Sequence, residues 1–168
     1  MLQKKICMVG VAGTGKTCLV QRYVHSIFSV KYLSTVGVKI DRKEIQVDGQ
    51  TMMMMLWDLE GRDGSHDVSN SYLRGAHGLI YVVDGTRRET YDQFFEIRDN
   101  VVKELGEMPS VVALNKSDLT EQWKLTTEDE QKLTAAGYHP MRTSAKTGEA
   151  VESAFQWLAA KTVLFKGN

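Results

Sequence analysis

The chain is poor in the residues that announce special architectures: 168 residues carry two cysteines and two prolines. Two cysteines are too few for a disulfide scaffold. Cys7 and Cys18 each lie among apolar neighbours (Ile6-Cys7-Met8 and Cys18-Leu19-Val20), so both read as reduced, buried small hydrophobes rather than a bridge or a metal pair. No Ser/Gly-rich linker, low-complexity run or internal repeat interrupts the chain, and the expectation is one domain over residues 1–168. There is no excess of either charge. Lys plus Arg and Asp plus Glu both number 21, which removes the whole-chain argument for a nucleic-acid or membrane footprint. There is also no apolar stretch of 18 residues, and the run after Met1-Leu2-Gln3-Lys4-Lys5 is too short for a signal peptide. The expected location is the cytoplasm, unless something else carries the protein to a membrane. A hydrophobic share of 42% at this length is enough for a sizeable core.

Apolar runs bounded by turn residues predict strands at 2–9, 38–47, 51–58, 78–84, 110–115 and 138–143. Helical spacing predicts helices at 15–26, 64–74, 87–105, 127–136 and 149–165. This alternation predicts an α/β fold with a mostly parallel sheet covered on both faces. One junction departs from it. Asp48-Gly49 is a two-residue hairpin signal, so the second and third strands should pair antiparallel with the second at the edge. The run Met52-Met53-Met54-Met55 reads as core filling rather than metal or redox chemistry.

Ligands of such sheets sit outside the carboxyl ends of the strands, and the polar motifs fall there. After the first strand comes Gly10-Val11-Ala12-Gly13-Thr14-Gly15-Lys16-Thr17, a G-x4-G-K-T. Its glycines let backbone N–H groups surround phosphate at a helix start. Lys16 is expected to bridge the β- and γ-phosphates, and the Thr17 hydroxyl to ligate Mg²⁺. The loop specifies a nucleoside triphosphate but no base. The base is indicated by Asn115-Lys116-Ser117-Asp118 after the fifth strand. A carboxylate at Asp118 can accept from both N1–H and the exocyclic amine of guanine, whereas adenine has no N1–H. Asn115 can reach the purine N7 edge and brace the phosphate loop, and the Lys116 stem can cover the ring. Thr143-Ser144-Ala145-Lys146 follows the sixth strand, with the Ala145 N–H placed for guanine O6 and Ser144 stabilising the loop. Asp58-Leu59-Glu60-Gly61 ends the third strand; Asp58 can hold Mg²⁺ through water, and the Gly61 N–H can meet the γ-phosphate. Thr35, ahead of the edge strand, is placed to supply a further Mg²⁺ ligand from a closing loop.

In this order and over nearly the whole chain, these motifs resemble the small GTPases of the Ras superfamily, and the Rab branch in particular. The Rab likeness rests on Tyr32-Leu33-Ser34-Thr35-Val36-Gly37-Val38, on Tyr72-Leu73-Arg74-Gly75-Ala76, and on residues 143–158. The resemblance implies a P-loop G domain with a six-stranded sheet and five helices, GTP and GDP as ligands with Mg²⁺, and two switch regions around Thr35 and Gly61. It implies nucleotide contacts from Gly13, Thr14, Gly15, Lys16, Thr17 and Cys18, and an aromatic, Phe28, stacked on guanine. Lys146 belongs to the base-binding loop. Effector, exchange and GTPase-activating proteins are the implied partners, through the switches and the edge strand. Nucleic acid is not among them.

Three departures stand out. Where the family has D-T-A-G-Q-E, this chain reads Asp58-Leu59-Glu60-Gly61-Arg62-Asp63. Glutamine donates and accepts at once, while guanidinium has five donors and no acceptor, so Arg62 is not expected to position the attacking water. Two other readings of Arg62 stay open: an in-cis stabiliser of transition-state charge, or a solvent-facing side chain. The expected function is therefore a guanine-nucleotide switch with slow hydrolysis, in which Lys16, Thr35, Gly61 and Arg62 form the catalytic group. The alternative is a GTP-loaded scaffold with negligible turnover. Second, Lys39 in Val38-Lys39-Ile40 changes the charge of the partner-facing edge. Third, Phe165-Lys166-Gly167-Asn168 carries no cysteine for prenylation, so no direct membrane anchor is expected in this chain. A trimmed lipidated tail and an unlipidated relative both fit.

Overall fold

Strand β1 (Leu2–Val9) alternates its side chains between two cores: Ile6 and Met8 enter one, Cys7 and Val9 the other. Such a strand must be covered on both faces, as expected of a parallel sheet. In the computed structural model, which describes residues 1–29, 37–59 and 70–167, it lies near the centre of a six-stranded sheet. The other strands are β2 (Val38–Val47), β3 (Gln50–Leu59), β4 (Gly78–Asp84), β5 (Ser110–Asn115) and β6 (Pro140–Arg142), in the spatial order β2-β3-β1-β4-β5-β6. Among the described residues only β2 and β3 pair antiparallel. Their turn has positive φ at both Asp48 (50°) and Gly49 (78°), as the hairpin signal required.

Helices α1 (Lys16–His25) and α5 (Val151–Thr162) cover one face, where Tyr23 and Phe155 stack with ring centroids 4.0 Å apart. Met52 and Met54 fill this core, in keeping with their reading as packing residues. On the other face lie α2 (Asn70–Leu73), α3 (Arg88–Leu105) and α4 (Thr127–Ala135), which contribute Leu73, Phe94, Ile97 and Leu133. Among the described residues no helix is long and apolar enough to cross a membrane.

Beyond shifts of one residue, three expected boundaries move, each for a local reason, while residues 64–69 of the helix expected at 64–74 lie outside the described residues. Strand β6 starts at Pro140 rather than 138, because the Gly137 and Tyr138 N–H groups close α4 onto the Thr134 and Leu133 carbonyls, with Gly137 at φ 89°. Helix α5 begins at Val151, after a turn in which Ala150 is left-handed, and it loosens beyond Thr162 into short-range turns. A 3-10 turn at Thr120–Gln122 was not foreseen. Cys7 is buried as expected, but Cys18 is only half-buried, because it follows Thr17 at the open carboxyl edge of the sheet. Both thiols are free.

Candidate functional site

The chain leaves β1 for β3 on one side and β4 on the other, so the carboxyl end of β1 is the switch point where a crevice opens. Residues 10–15 occupy it. A Cβ on Gly10 would lie 2.5 Å from the Val82 carbonyl oxygen, and one on Gly15, at φ 101°, only 2.2 Å from Asn115 Nδ2. The loop thus lies tight against the ends of β4 and β5, and only glycine fits at these two contacts.

Three successive loop carbonyls receive side-chain donors from neighbouring strand ends. Arg87 Nη2 donates to the Ala12 carbonyl at 2.9 Å, Lys116 Nζ to Gly13 at 2.9 Å, and Asn115 Nδ2 to Thr14 at 3.0 Å. No peptide is cis. Each trans unit therefore sets the following N–H, of Gly13, Thr14 and Gly15, opposite its anchored carbonyl. Behind the loop, α1 starts without a side-chain cap and without an acidic residue in its first turn. Helix α4 shows the contrast, with Thr126 and Asp129 in a full capping box. The uncapped, positively polarised start of α1 and the oriented N–H groups suit an anion.

Lys16 lies inside this loop, 6% exposed, with Nζ 2.9 Å from both the Gly10 and Val11 carbonyls. Burial pushes its pKa down to about 8; Asp58 opposes the shift and Arg87 adds to it. Thr17 Oγ1 donates to Asp58 Oδ2 at 2.6 Å, joining the first turn of α1 to the end of β3. A hydroxyl beside a carboxylate is a hard-oxygen donor set that fits Mg²⁺ with part of its hydration shell retained.

The predicted base-reading residues converge at the ends of β5 and β6. Asn115 is 2% exposed, and its amide oxygen accepts from Thr143 Oγ1 at 3.2 Å while its nitrogen braces the loop. Lys116 is held at φ 69°, an uncommon conformation for a side-chain-bearing residue. Asp118 Oδ1 accepts from Ser144 Oγ at 2.7 Å, and Ser144 Oγ accepts from the Thr147 N–H at 3.1 Å. Ala145 is buried beside them; Lys146 is exposed, with its carbonyl accepting from Arg22 at 3.2 Å. Phe28, beyond the end of α1, keeps 38% of its surface exposed. Thr35, Gly61 and Arg62 lie outside the described residues.

The sequence reading missed the turn between β4 and α3. Asp84, 1% exposed at the end of β4, accepts from Lys116 Nζ (2.8 Å) and Arg87 Nε (3.1 Å) on Oδ2. Its Oδ1 accepts from the Thr86 N–H (2.9 Å) and hydroxyl (2.6 Å). Burial by itself would raise this carboxyl, but the Lys116 ammonium and the Thr86 donors outweigh it and hold it below the usual range. A lone charged residue ending a fully buried strand was the available signal. Gly85 lies under the Trp123 indole, with room for no side chain.

A model of the Ras family matches residues 5–164 of this chain.

Proposed function

We propose, from the premise that the chain belongs to the Ras family, that it is a GTP-binding switch whose own hydrolysis step is weak. Membership supports GTP binding and a GTPase in general. The observation that best supports the phosphate site is the row of outward-anchored carbonyls at Ala12, Gly13 and Thr14, which turns three successive N–H groups to the other side of the loop. In this reading Lys16 supplies the buried cation facing the β- and γ-phosphates. Thr17 and Asp58, joined by Thr35, would hold Mg²⁺, which when bound neutralises charge on the phosphate oxygens. Asp118, fixed by Ser144, reads the guanine N1–H and amine, with Asn115, Lys116, Ala145, Lys146 and Phe28 around the base.

Arg62 sets the rate in this proposal. It has no acceptor for the water proton, so the step lacks a residue that both donates and accepts. The loss is about 10²-fold, or roughly 2.7 kcal/mol of barrier. The same feature favours the second reading, a GTP-loaded scaffold whose signal is set by loading alone. The stretches at 32–38, 72–76 and 143–158 support a Rab-like member. Lys39, exposed on the edge strand β2 with its ammonium 3.8 Å from Asp41, argues that its effector face differs in charge from that group's.

Equilibrium titration of nucleotide-depleted protein with GDP and ADP in Mg²⁺ tests the base assignment. The proposal expects tight GDP binding and a preference of at least about 10⁴ over ADP. Comparable affinities would overturn it.

A further inference from the structure

None of the sequence motifs includes Arg87, yet its side chain reaches the centre of the site. Its backbone begins α3, where its carbonyl accepts from the Thr90 N–H at 3.0 Å and the Thr90 hydroxyl at 2.8 Å. That role needs no particular side chain, and the guanidinium turns the other way. Nε meets Asp84 Oδ2 at 3.1 Å while Nη2 meets the Ala12 carbonyl at 2.9 Å. Asp84 is fixed in turn, because Thr86 fills one oxygen and Lys116 shares the other. The neighbouring Arg88 is a useful contrast: its fork closes on the two oxygens of Asp129 at 2.7 and 2.8 Å, away from the loop.

We infer that Arg87 is a positioning residue of the nucleotide site, which draws the Ala12 carbonyl outward from an Asp84 anchor and so keeps the Gly13 N–H turned toward bound phosphate. The inference rests on reading residues 10–17 as the phosphate loop. Of the three anchored carbonyls, Gly13 and Thr14 are held by the β5 end, through Lys116 and Asn115. Ala12 is held from the β4–α3 turn, so Arg87 ties a second structural element to the loop. Arg87 meets its two partners with two donors, Nε and Nη2, fixed on one planar group, whereas a lysine at this position would need its single Nζ within reach of both at once, as the differently placed Lys116 Nζ is of Asp84 and Gly13. The Arg87 side chain is 37% exposed, so water competes for the carbonyl and its loss should loosen the loop without dismantling it.

The test is release of a fluorescent GDP analogue from Mg²⁺-loaded protein into excess GDP, run beside thermal melting of the nucleotide-free form. Arg87→Ala should release about tenfold faster while melting within about 2 °C of the parent, and Arg87→Lys should restore less than half of the lost retention. Arg88→Ala should melt lower and release at the parental rate. Parent-like release by Arg87→Ala, or a rise matched by Arg88→Ala, overturns the inference alone. Full rescue by Arg87→Lys overturns the two-donor geometry on which it stands. A parent that never retains GDP overturns the guanine-nucleotide reading and the inference with it.

Discussion

Replacing Gly15 by alanine puts a methyl group where the structure has room for none. At φ 101° an L-residue is strained by about 1–2 kcal/mol. The new Cβ would lie 2.2 Å from Asn115 Nδ2, so the amide must move. Asn115 is 2% exposed, and moving its amide nitrogen gives up the 3.0 Å bond to the Thr14 carbonyl. Leaving such buried groups unpaired costs about 1–3 kcal/mol. The sum, about 2–5 kcal/mol, corresponds to roughly thirtyfold to four-thousandfold in GDP affinity if the whole cost falls on the binding-competent loop. Part of it can fall on folding instead, so titration with GDP is paired with melting of the nucleotide-free protein. Gly49→Ala is the control: its φ is 78°, but nothing lies within 4 Å, so it should lower stability by about 1 kcal/mol and leave GDP affinity alone. A Gly15→Ala protein with parental melting and GDP affinity within threefold of the parent would refute the contact argument.

Asp118→Asn should weaken GDP binding and shift preference toward xanthine nucleotide, whose C2 carbonyl replaces the amine; retained GDP affinity in competition binding would remove Asp118 as base reader. Lys16 titrates at about 8 because burial disfavours its ammonium, and a bound phosphate would raise that value. Below about 8 the proton is present in both states; above it, binding must take one up, so GDP affinity falls as pH rises. Calorimetry at pH 8.5 in two buffers of different ionisation heat should report uptake of more than half a proton, and no uptake would contradict the assignment. Arg62→Gln should raise single-turnover GTP hydrolysis by about 10²-fold, and an unchanged or lower rate would favour an in-cis role for the arginine.

Contiguous features were legible in the sequence. Asp48-Gly49 specified an antiparallel edge because two adjacent residues alone determine the turn, and the loop 10–17 declared itself because its glycines, lysine and threonine are neighbours in the chain. The start of β6 was not legible, because Tyr138 reads as a strand residue until its N–H is spent on closing α4. Asp84 and Arg87 were missed for a different reason. A charged turn residue is ordinarily solvated, and only the folded sheet brings Arg87 to Ala12, 75 positions away in sequence. The bracing of the loop by Asn115 was foreseen, whereas the pairing of Lys116 with Asp84 depends on strands β4 and β5 lying side by side with Asp84 opposite Asn115.

The central claim is a guanine-nucleotide switch with a weak hydrolysis step, and single-turnover hydrolysis tests it most directly. The protein is loaded with GTP and Mg²⁺, and bound GTP and GDP are followed by chromatography. An unassisted Ras protein turns over at roughly 4 × 10⁻⁴ s⁻¹, so the account predicts a rate on the order of 10⁻⁶ s⁻¹, with GTP still dominant after many hours. Conversion to GDP within about an hour would contradict it.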